Sequence, residues 1–276
     1  MNTLRNKTVF ISGATRGIGR EIALRCGRDG ANVVITGKSN LPHPKLPGTI
    51  HSVAAEIVAA GGQALAIQLD VRDDAAITTA VTQAVAHFGG IDILINNASA
   101  ISLTPTLETS AKRLDLMWDV NMRATFLCSQ ACIPHLKKSN NPHILTLSPP
   151  LNLVAHWLAP HLAYSMSKFG MSLCTLGMAR EFASDGIAIN SLWPRTTIAT
   201  AAIEYNFPEE ILRASRHPAI VADAAYFILT SDSRQGSRQF LIDEEVLIQH
   251  GMTNFDHYAV TPGVALMNDL FLESKK

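Results

Sequence analysis

Residues Lys7 to Gly19 read KTVFISGATRGIG. Val9, Phe10 and Ile11 form an apolar run of the length of a buried strand. Gly13, Gly17 and Gly19 come directly after it, and Arg20-Glu21-Ile22-Ala23-Leu24 opens a helical pattern. Strand, glycine loop and helix in this order form a phosphate site. Residues without Cβ let the backbone approach phosphate oxygens, and the helix start presents unpaired N–H groups at the positive end of its dipole. The spacing Gly-x-x-x-Gly-x-Gly is one residue wider than the common dinucleotide fingerprint. Glycine-rich turns also arise for structural reasons alone, so the assignment rests on the pattern of the remaining chain.

That pattern is alternation. Asn32 to Ile35, Ala64 to Leu69, Ile91 to Ile95, Ile144 to Leu147, Ile187 to Leu192 and Gln239 to Ile242 read as strands. The helical patterns are His51 to Ala60, a segment capped by Asp73 and running to about Phe88, Lys112 to Asn121, Ala124 to Lys137, Tyr164 to Ala183 and Val221 to Leu229. Gly61-Gly62 and Gly89-Gly90 end two of them, and Lys38 to Thr49 is a polar loop bearing three prolines. Alternating strands and helices imply a single α/β domain, a doubly wound parallel sheet of Rossmann type. Residues 1–250 are expected to form this dinucleotide-binding domain, with 251–276 a C-terminal extension packing on it. Ligands then sit beyond the C-terminal strand ends, where the glycine loop and Asn96-Asn97 both fall.

Composition narrows the function. Lys and Arg total 23 against 23 Asp and Glu, so the chain is neutral and has no basic patch for nucleic acid. Cys128 and Cys132 are four apart on a helical pattern, but no His or Cys cluster completes a metal site, so all four cysteines are expected to be reduced and buried. No signal-peptide pattern precedes the first strand, and no apolar run reaches the roughly 18 residues of a membrane span. A cytoplasmic protein is expected.

Dinucleotide folds usually place an acid at the end of the second strand to bind the ribose hydroxyls of NAD. Here that place reads Thr36-Gly37-Lys38. Lys38, with Arg16 of the glycine loop, would instead pair with a 2′-phosphate, so NADP is expected over NAD. Asp70, after the third strand, is placed for the adenine amine, although Asp73 fits the N-cap role better. A second centre is Tyr164-x-x-x-Lys168. Four residues apart on a helix, the two share a face. A lysine cation beside a tyrosine favours the phenolate and lowers a pKa that starts at about 10. Such a pair is common by chance, but downstream of a glycine loop and at the start of a helix it reads as chemistry. Asn121 interrupts a helical stretch. Poor helix propensity explains that on its own; functionally, its amide would bend the helix and hold a water linking Lys168 to solvent.

The glycine loop, Asp70-Val71, Asn96-Asn97-Ala98, Asn121, Tyr164 and Lys168 together resemble the short-chain dehydrogenase/reductase family over nearly the whole chain. The resemblance implies Tyr164 as proton donor, Lys168 as its activator and Asn121 as relay. It implies dinucleotide contacts from Gly13, Ala14, Thr15, Arg16, Gly17, Ile18, Gly19, Lys38, Asp70, Val71, Asn97, Ala98, Lys168, Pro194 and Thr197. Three positions depart from the family pattern. NNAG is NNAS, with Ser99, and the Pro-Gly after the sixth strand is Pro194-Arg195, leaving Thr197 or Thr200 for the carboxamide. The family serine, 13 residues before the tyrosine, is Leu151 here, and aligning the strand instead puts Pro149 in its place. Ser148, 16 residues before Tyr164, would be catalytic only if the intervening loop bulges, and otherwise simply ends the strand.

Hydride transfer to or from a lipophilic carbonyl or hydroxyl substrate is the expected activity. Leu151, Leu153, Trp157 and Leu158 are the expected apolar neighbours of the site, so an acyl chain is a plausible part of the substrate. Two rivals stay open: a reductase of conjugated enoyl thioesters, which could dispense with the serine, and a cofactor-binding protein with little catalysis. The helix from Tyr164 carries apolar residues around too much of its circumference for one core-facing stripe, and the helix before it is similar. A homodimer or, by family resemblance, a homotetramer is therefore expected.

Overall fold

The computed structural model describes residues 3–273. Seven parallel strands form one sheet in the order β3-β2-β1-β4-β5-β6-β7. They are β1 Thr8–Ser12, β2 Asn32–Gly37, β3 Gln63–Gln68, β4 Ile93–Asn96, β5 His143–Thr146, β6 Ala188–Trp193 and β7 Phe240–Ile242. Period-two alternation along the strands sends successive side chains to opposite faces. Val9 and Ile11 of β1, Val33 and Ile35 of β2, and Ile93 and Ile95 of β4 enter one core. Phe10, Val34 and Leu94 enter the other, and the pairing places these three in one row across the sheet.

Helices α1 Gly17–Arg28 and α2 Ile50–Ala59 belong to the first face; α3 Asp74–Phe88 covers the second. The chain then runs through α4 Ala111–Met117, α5 Ala124–Leu136, α6 Ala155–Leu158, α7 Leu162–Glu181, α8 Ala201–Asn206, α9 Glu209–Arg213, α10 Ala219–Leu229 and α11 Asp243–Gln249. Asp73 caps α3 by accepting from Ala76 N at 3.0 Å, and Gly89 ends it in the left-handed region. Thr49 caps α2 through a reciprocal pair with Ser52. Strand order reverses at β1, between β2 and β4, and this is where a crevice opens beyond the strand ends.

Two regions differ from expectation in ways that bear on the site. The helix expected over Lys112 to Asn121 stops at Met117, and Trp118–Arg123 form a π-helical turn that runs on into α5. Of the apolar side chains on α5 and α7, Phe169, Met171, Met178, Ile133 and Leu136 turn into the chain's own cores, whereas Phe126, Met166 and Leu173 are exposed. Among the described residues no helix is long and apolar enough to cross a membrane. The cysteines are free; Cys26, Cys128 and Cys132 are buried and Cys174 half-buried.

The segment after α11 folds back over the C-terminal ends of the strands. Phe255 and Met252 pack on the first core, and Phe271 and Leu272 enter a third cluster with Met117, Tyr164, Phe169 and Trp193. Phe271 is 1% exposed, with ring centroids of Phe169, His161, Trp157 and Tyr164 at 5.1 to 6.5 Å. Its φ of 69° is an unusual conformation for an aromatic residue. Such strain costs on the order of 1–3 kcal/mol and persists where packing over-determines it. Hydrogen bonds hold the same segment: Trp193 Nε1 donates to Leu270 O at 3.0 Å and Asn152 Nδ2 to Phe271 O at 3.1 Å. Phe271→Ala should lower stability by about 3–5 kcal/mol, since the cavity it leaves is lined on several sides. Thermal unfolding reads this out, and an unchanged midpoint would show that the tail is not anchored there.

Candidate active site

Four hydrogen bonds between Ser12, Gly13 and the Asn97-Ala98 segment fix the glycine turn. Ser12 Oγ accepts from Asn97 N at 3.0 Å and Ala98 N at 3.1 Å. Asn97 Nδ2 donates to Ser12 O at 3.0 Å and Gly13 O at 2.9 Å. Gly13 has φ +70°, and a Cβ there would lie 2.9 Å from Ala98 Cα. A Cβ on Gly19 would lie 2.4 Å from Asn97 Nδ2 and 2.6 Å from Gly13 O. α1 starts with no side-chain cap at Arg16 and no acid in its first turn, so its leading N–H groups are open to an anion. These features fit a dinucleotide pyrophosphate.

The turn floors a cleft of about 920 Å³. Gly13, Thr15, Arg16, Gly17 and Ile18 line it, as do Lys38, Asp70, Val71, Asn97, Ala98, Pro194 and Thr197. Ala14 and Gly19, expected in the same role, lie beneath the turn: Ala14 is buried in the first core, and Gly19 gives the close approach to Asn97. One end of the cleft is polar. Arg16 Nη2 donates to Ser39 Oγ at 2.6 Å and Nε to Pro47 O at 3.0 Å, which ties the proline loop down beside the turn. Tyr205 of α8 donates its hydroxyl to Lys45 O. Lys38 Nζ lies 3.3 Å from Asp70 Oδ2, and Arg72 chelates both Asp70 oxygens. The Arg72 guanidinium, with Lys38, holds the Asp70 carboxyl well below the usual carboxylate range. Ser39, His43, Lys45 and Arg72 join the lining without a motif to mark them; the available signal for Ser39 and Arg72 is their adjacency to Lys38 and Asp70 at strand ends.

The other end holds Tyr164 and Lys168, 5% and 2% exposed. Lys168 Nζ donates to Leu147 O at 2.6 Å and sits 5.2 Å from the Trp193 ring centre. Burial pushes the Lys168 amine down to about 7. Burial also pushes the Tyr164 phenol above its ordinary value, and the Asp269 carboxylate adds to the rise. That direction is opposite to the lowering expected from a neighbouring cation: desolvation of the phenolate is the largest influence.

Asn121 occupies the π-helical turn and is fully buried. Its Oδ1 accepts from Ala100 N at 2.7 Å, and its Nδ2 donates to Ala100 O and Ser167 Oγ, each at 2.9 Å. The side chain thus ties the turn to α7 one residue before Lys168, outside the cleft lining. Ser148 is also outside it. Its Oγ is 2.9 Å from Ser191 Oγ, which is 2.8 Å from Thr175 Oγ1, a buried chain of hydroxyls between β5, β6 and α7. Ser148 thus faces Ser191 and does not line the cleft with Tyr164. The apolar neighbours differ as well. Leu151, Trp157 and Leu158 pack around Phe271 in the third cluster, and Leu153 is exposed. In their stead Ile101, Leu103, Leu116, Ile203, Phe207 and Leu270 line the cleft. Asp269, from the tail, lines it beside Tyr164 and Lys168. No sequence signal marks Asp269, because it reaches the site from about a hundred residues away.

The short chain dehydrogenase family model matches residues 7–210. Hydroxysteroid dehydrogenase-like protein 2 of Danio rerio is 55% identical over 97% of this chain and 64% of its own length. The protein of that name from Homo sapiens is 54% identical over 96% of this chain and 63% of its own length. The chain therefore spans less than two thirds of these curated relatives. Among solved structures, a Xanthomonas campestris protein superposes with a TM-score of 0.95 at 55% identity, covering 99% of this chain and 100% of that one. A short chain dehydrogenase of Mycobacterium thermoresistibile gives 0.93 at 50% identity, covering 99% and 97%.

The Gly19 contact yields a direct test. Gly19→Ala forces Asn97 or the Gly13 carbonyl to move, which disturbs the turn that would hold the pyrophosphate. Dinucleotide affinity should fall about tenfold or more, equivalent to at least ~1.4 kcal/mol, in a fluorescence titration with NADPH. An unchanged affinity would remove this turn from the binding site.

Proposed function

The chain belongs to the short-chain dehydrogenase/reductase family, an oxidoreductase family that binds NAD(P), and from that premise we propose that it is an NADP-linked reductase of lipophilic carbonyl compounds. The observation that carries the reading is one cleft with a phosphate-type turn and basic end at one side and a buried Tyr164–Lys168 pair at the other. Gly13, Thr15, Gly17 and Ile18 would hold the pyrophosphate, with Arg16, Lys38 and Ser39 around a 2′-phosphate. The bound dinucleotide supplies the hydride. Tyr164, kept protonated by its burial, gives its proton to the substrate oxygen, and an alcohol forms. Lys168 orients the tyrosine side of the site through its bond to Leu147 O, and Asn121 fixes the turn beside it. The apolar walls from Leu103, Leu116 and Phe207 suit a lipophilic substrate and exclude water.

One observation favours a second reading. With the Ser148 hydroxyl bonded to Ser191, the serine that would polarise a carbonyl is not at hand, which suits reduction of a conjugated enoyl thioester. A screen of the protein with NADPH against aldehydes, ketones and enoyl thioesters separates the two. In that screen Tyr164→Phe should keep the dinucleotide bound and lose about 10²–10⁴ in rate. Full turnover by the phenylalanine variant would show that Tyr164 is not the proton donor and that the acid lies elsewhere.

The absence of an acid after β2 supports NADP. NADPH should bind about tenfold tighter than NADH or more, the worth of one charge-assisted hydrogen bond, and Lys38→Asp should erase the difference. Equal affinities for the two in the wild type at low salt would overturn it. Phe126, Met166 and Leu173, exposed on adjacent helices, support pairing with a second copy across a two-fold axis, and a single protomer mass by light scattering at micromolar concentration would refute it. Four free thiols suit a reducing compartment such as the cytoplasm.

A further inference from the structure

A carbonyl reductase site of this kind needs two donors at the substrate oxygen: one that gives up its proton and one that only polarises. Tyr164 is the first. The hydroxyl available for the second, Ser148, is held by Ser191 in a chain that ends at Thr175. The same cleft also receives a carboxyl group, that of Asp269 from the tail.

The tail is held firmly at this point. Asn268 bridges Thr196 in antiparallel fashion, Thr197 N donates to Met267 O at 3.0 Å, and Asp269 N donates to Arg195 O at 3.1 Å. One carboxyl oxygen, Asp269 Oδ1, accepts from Leu270 N at 2.7 Å. No described residue donates to the other, Oδ2. The residue lines the cleft with Tyr164 and Lys168 and interacts electrostatically with both. Phe271, two residues on, seals the far side of Tyr164. Resting on the reading of a Tyr164-dependent carbonyl reductase, we propose that Asp269 is a further catalytic residue, whose neutral carboxyl donates a hydrogen bond from Oδ2 to the substrate carbonyl oxygen in place of the family serine.

The charges around Asp269 bear on its protonation. Lys168 faces it from α7 and favours the carboxylate. Asp243, at the start of α11, opposes it, and Asp243 is itself buried beside Arg216 and accepts from Arg195 N. Tyr164, the remaining group on α7, is neutral. Burial is the largest influence and raises the Asp269 carboxyl to about 7. A carboxylic acid kept neutral by an apolar site can donate to a substrate oxygen. In the reduction Asp269 keeps its proton throughout; Tyr164 alone transfers one, so the carbonyl gains a hydride and a proton and nothing else changes hands.

These charges fix the sign of the pH dependence. Asp269 is a donor below its pKa and becomes an acceptor, repelling the carbonyl oxygen, as pH rises through about 7. The test uses the full chain and two readouts. The first needs no turnover: isotope-edited infrared spectra of protein labelled with ¹³C-aspartate, with NADPH bound and without. Of the neutral-carboxyl bands at mildly acidic pH, one should fade as pH rises through about 7 and be missing in Asp269→Asn, while that of buried Asp243, raised to about 6, remains in the variant. If wild type and Asp269→Asn show the same bands down to about pH 5, where an ordinary aspartate is already ionised, Asp269 has no proton to donate and the proposal falls.

The second readout is turnover on whichever carbonyl compound the NADPH screen identifies. Asp269→Ala should lose roughly 10²–10³ in rate, the effect of removing one oxyanion donor, with NADPH affinity unchanged. Asp269→Asn keeps a donor without the charge, so it should stay within a few-fold of wild type and lose the alkaline limb near neutrality. An alanine variant at full rate overturns the proposal, and so does an asparagine variant as slow as alanine. The asparagine variant also controls for folding, since it preserves the shape of the tail. If no carbonyl is reduced at all, or Tyr164→Phe matches wild type, the functional reading has failed, and the infrared titration alone decides whether Asp269 carries a proton.

Discussion

The contact between the glycine turn and the end of β4 is the constraint on which the rest depends. Four hydrogen bonds join Ser12 and Gly13 to Asn97 and Ala98 across two neighbouring strands. They do so at the point where strand order reverses, and the cleft lies beyond these strand ends. Everything that lines the cleft is hung from this junction. α1 points its uncapped start at it, β2 delivers Lys38 beside it, and β5 and α7 bring Lys168 to the opposite wall. Gly13 and Gly19 are required because the backbones of the two loops touch; a side chain at either would separate them.

Much of this is legible from sequence, for identifiable reasons. Strand alternation, the glycine spacing and the Tyr164-x-x-x-Lys168 pair are local signals, and local signals survive without a fold. Asp73 as the cap of α3 is readable because a cap is settled within three residues. Sequence reading strains where a residue's role depends on partners far along the chain. Ser148 is one residue from the expected strand end, but its direction is set by Ser191 and Thr175, which no spacing rule connects to it. Leu151, Trp157 and Leu158 are apolar, as a site wall requires, yet they cover Phe271 and leave the cleft to other residues. The interruption at Asn121 is visible as poor helix propensity; that it takes the form of a π-helical turn tied to Ala100 and Ser167 is not.

The tail explains most of what spacing misses. A segment with no periodicity still buries Phe271 among aromatic rings and crosses the ends of β6 through bonds to Arg195 and Thr197. Its strained backbone at Phe271 is tolerated because the ring is gripped on several sides. The Tyr164 end of the cleft is therefore not a property of α7 and β5 alone. It is assembled from the family scaffold and a strap that follows α11.

Desolvation at this end of the cleft has a single consequence for three groups. A desolvated ammonium is disfavoured, so Lys168 moves down; a desolvated phenolate and a half-buried carboxylate are disfavoured, so Tyr164 and Asp269 move up. Each shift favours the neutral form, which for the tyrosine and the acid is the form that carries a proton. A site that excludes water in this way is poor at stabilising a resting phenolate and well suited to presenting O–H groups to a neutral oxygen. The same exclusion strengthens any hydrogen bond formed when negative charge develops on that oxygen, since fewer water dipoles compete. Lowering the charge of the resting site and strengthening its hold on a charged transition state are thus one physical effect, the withdrawal of these groups from water.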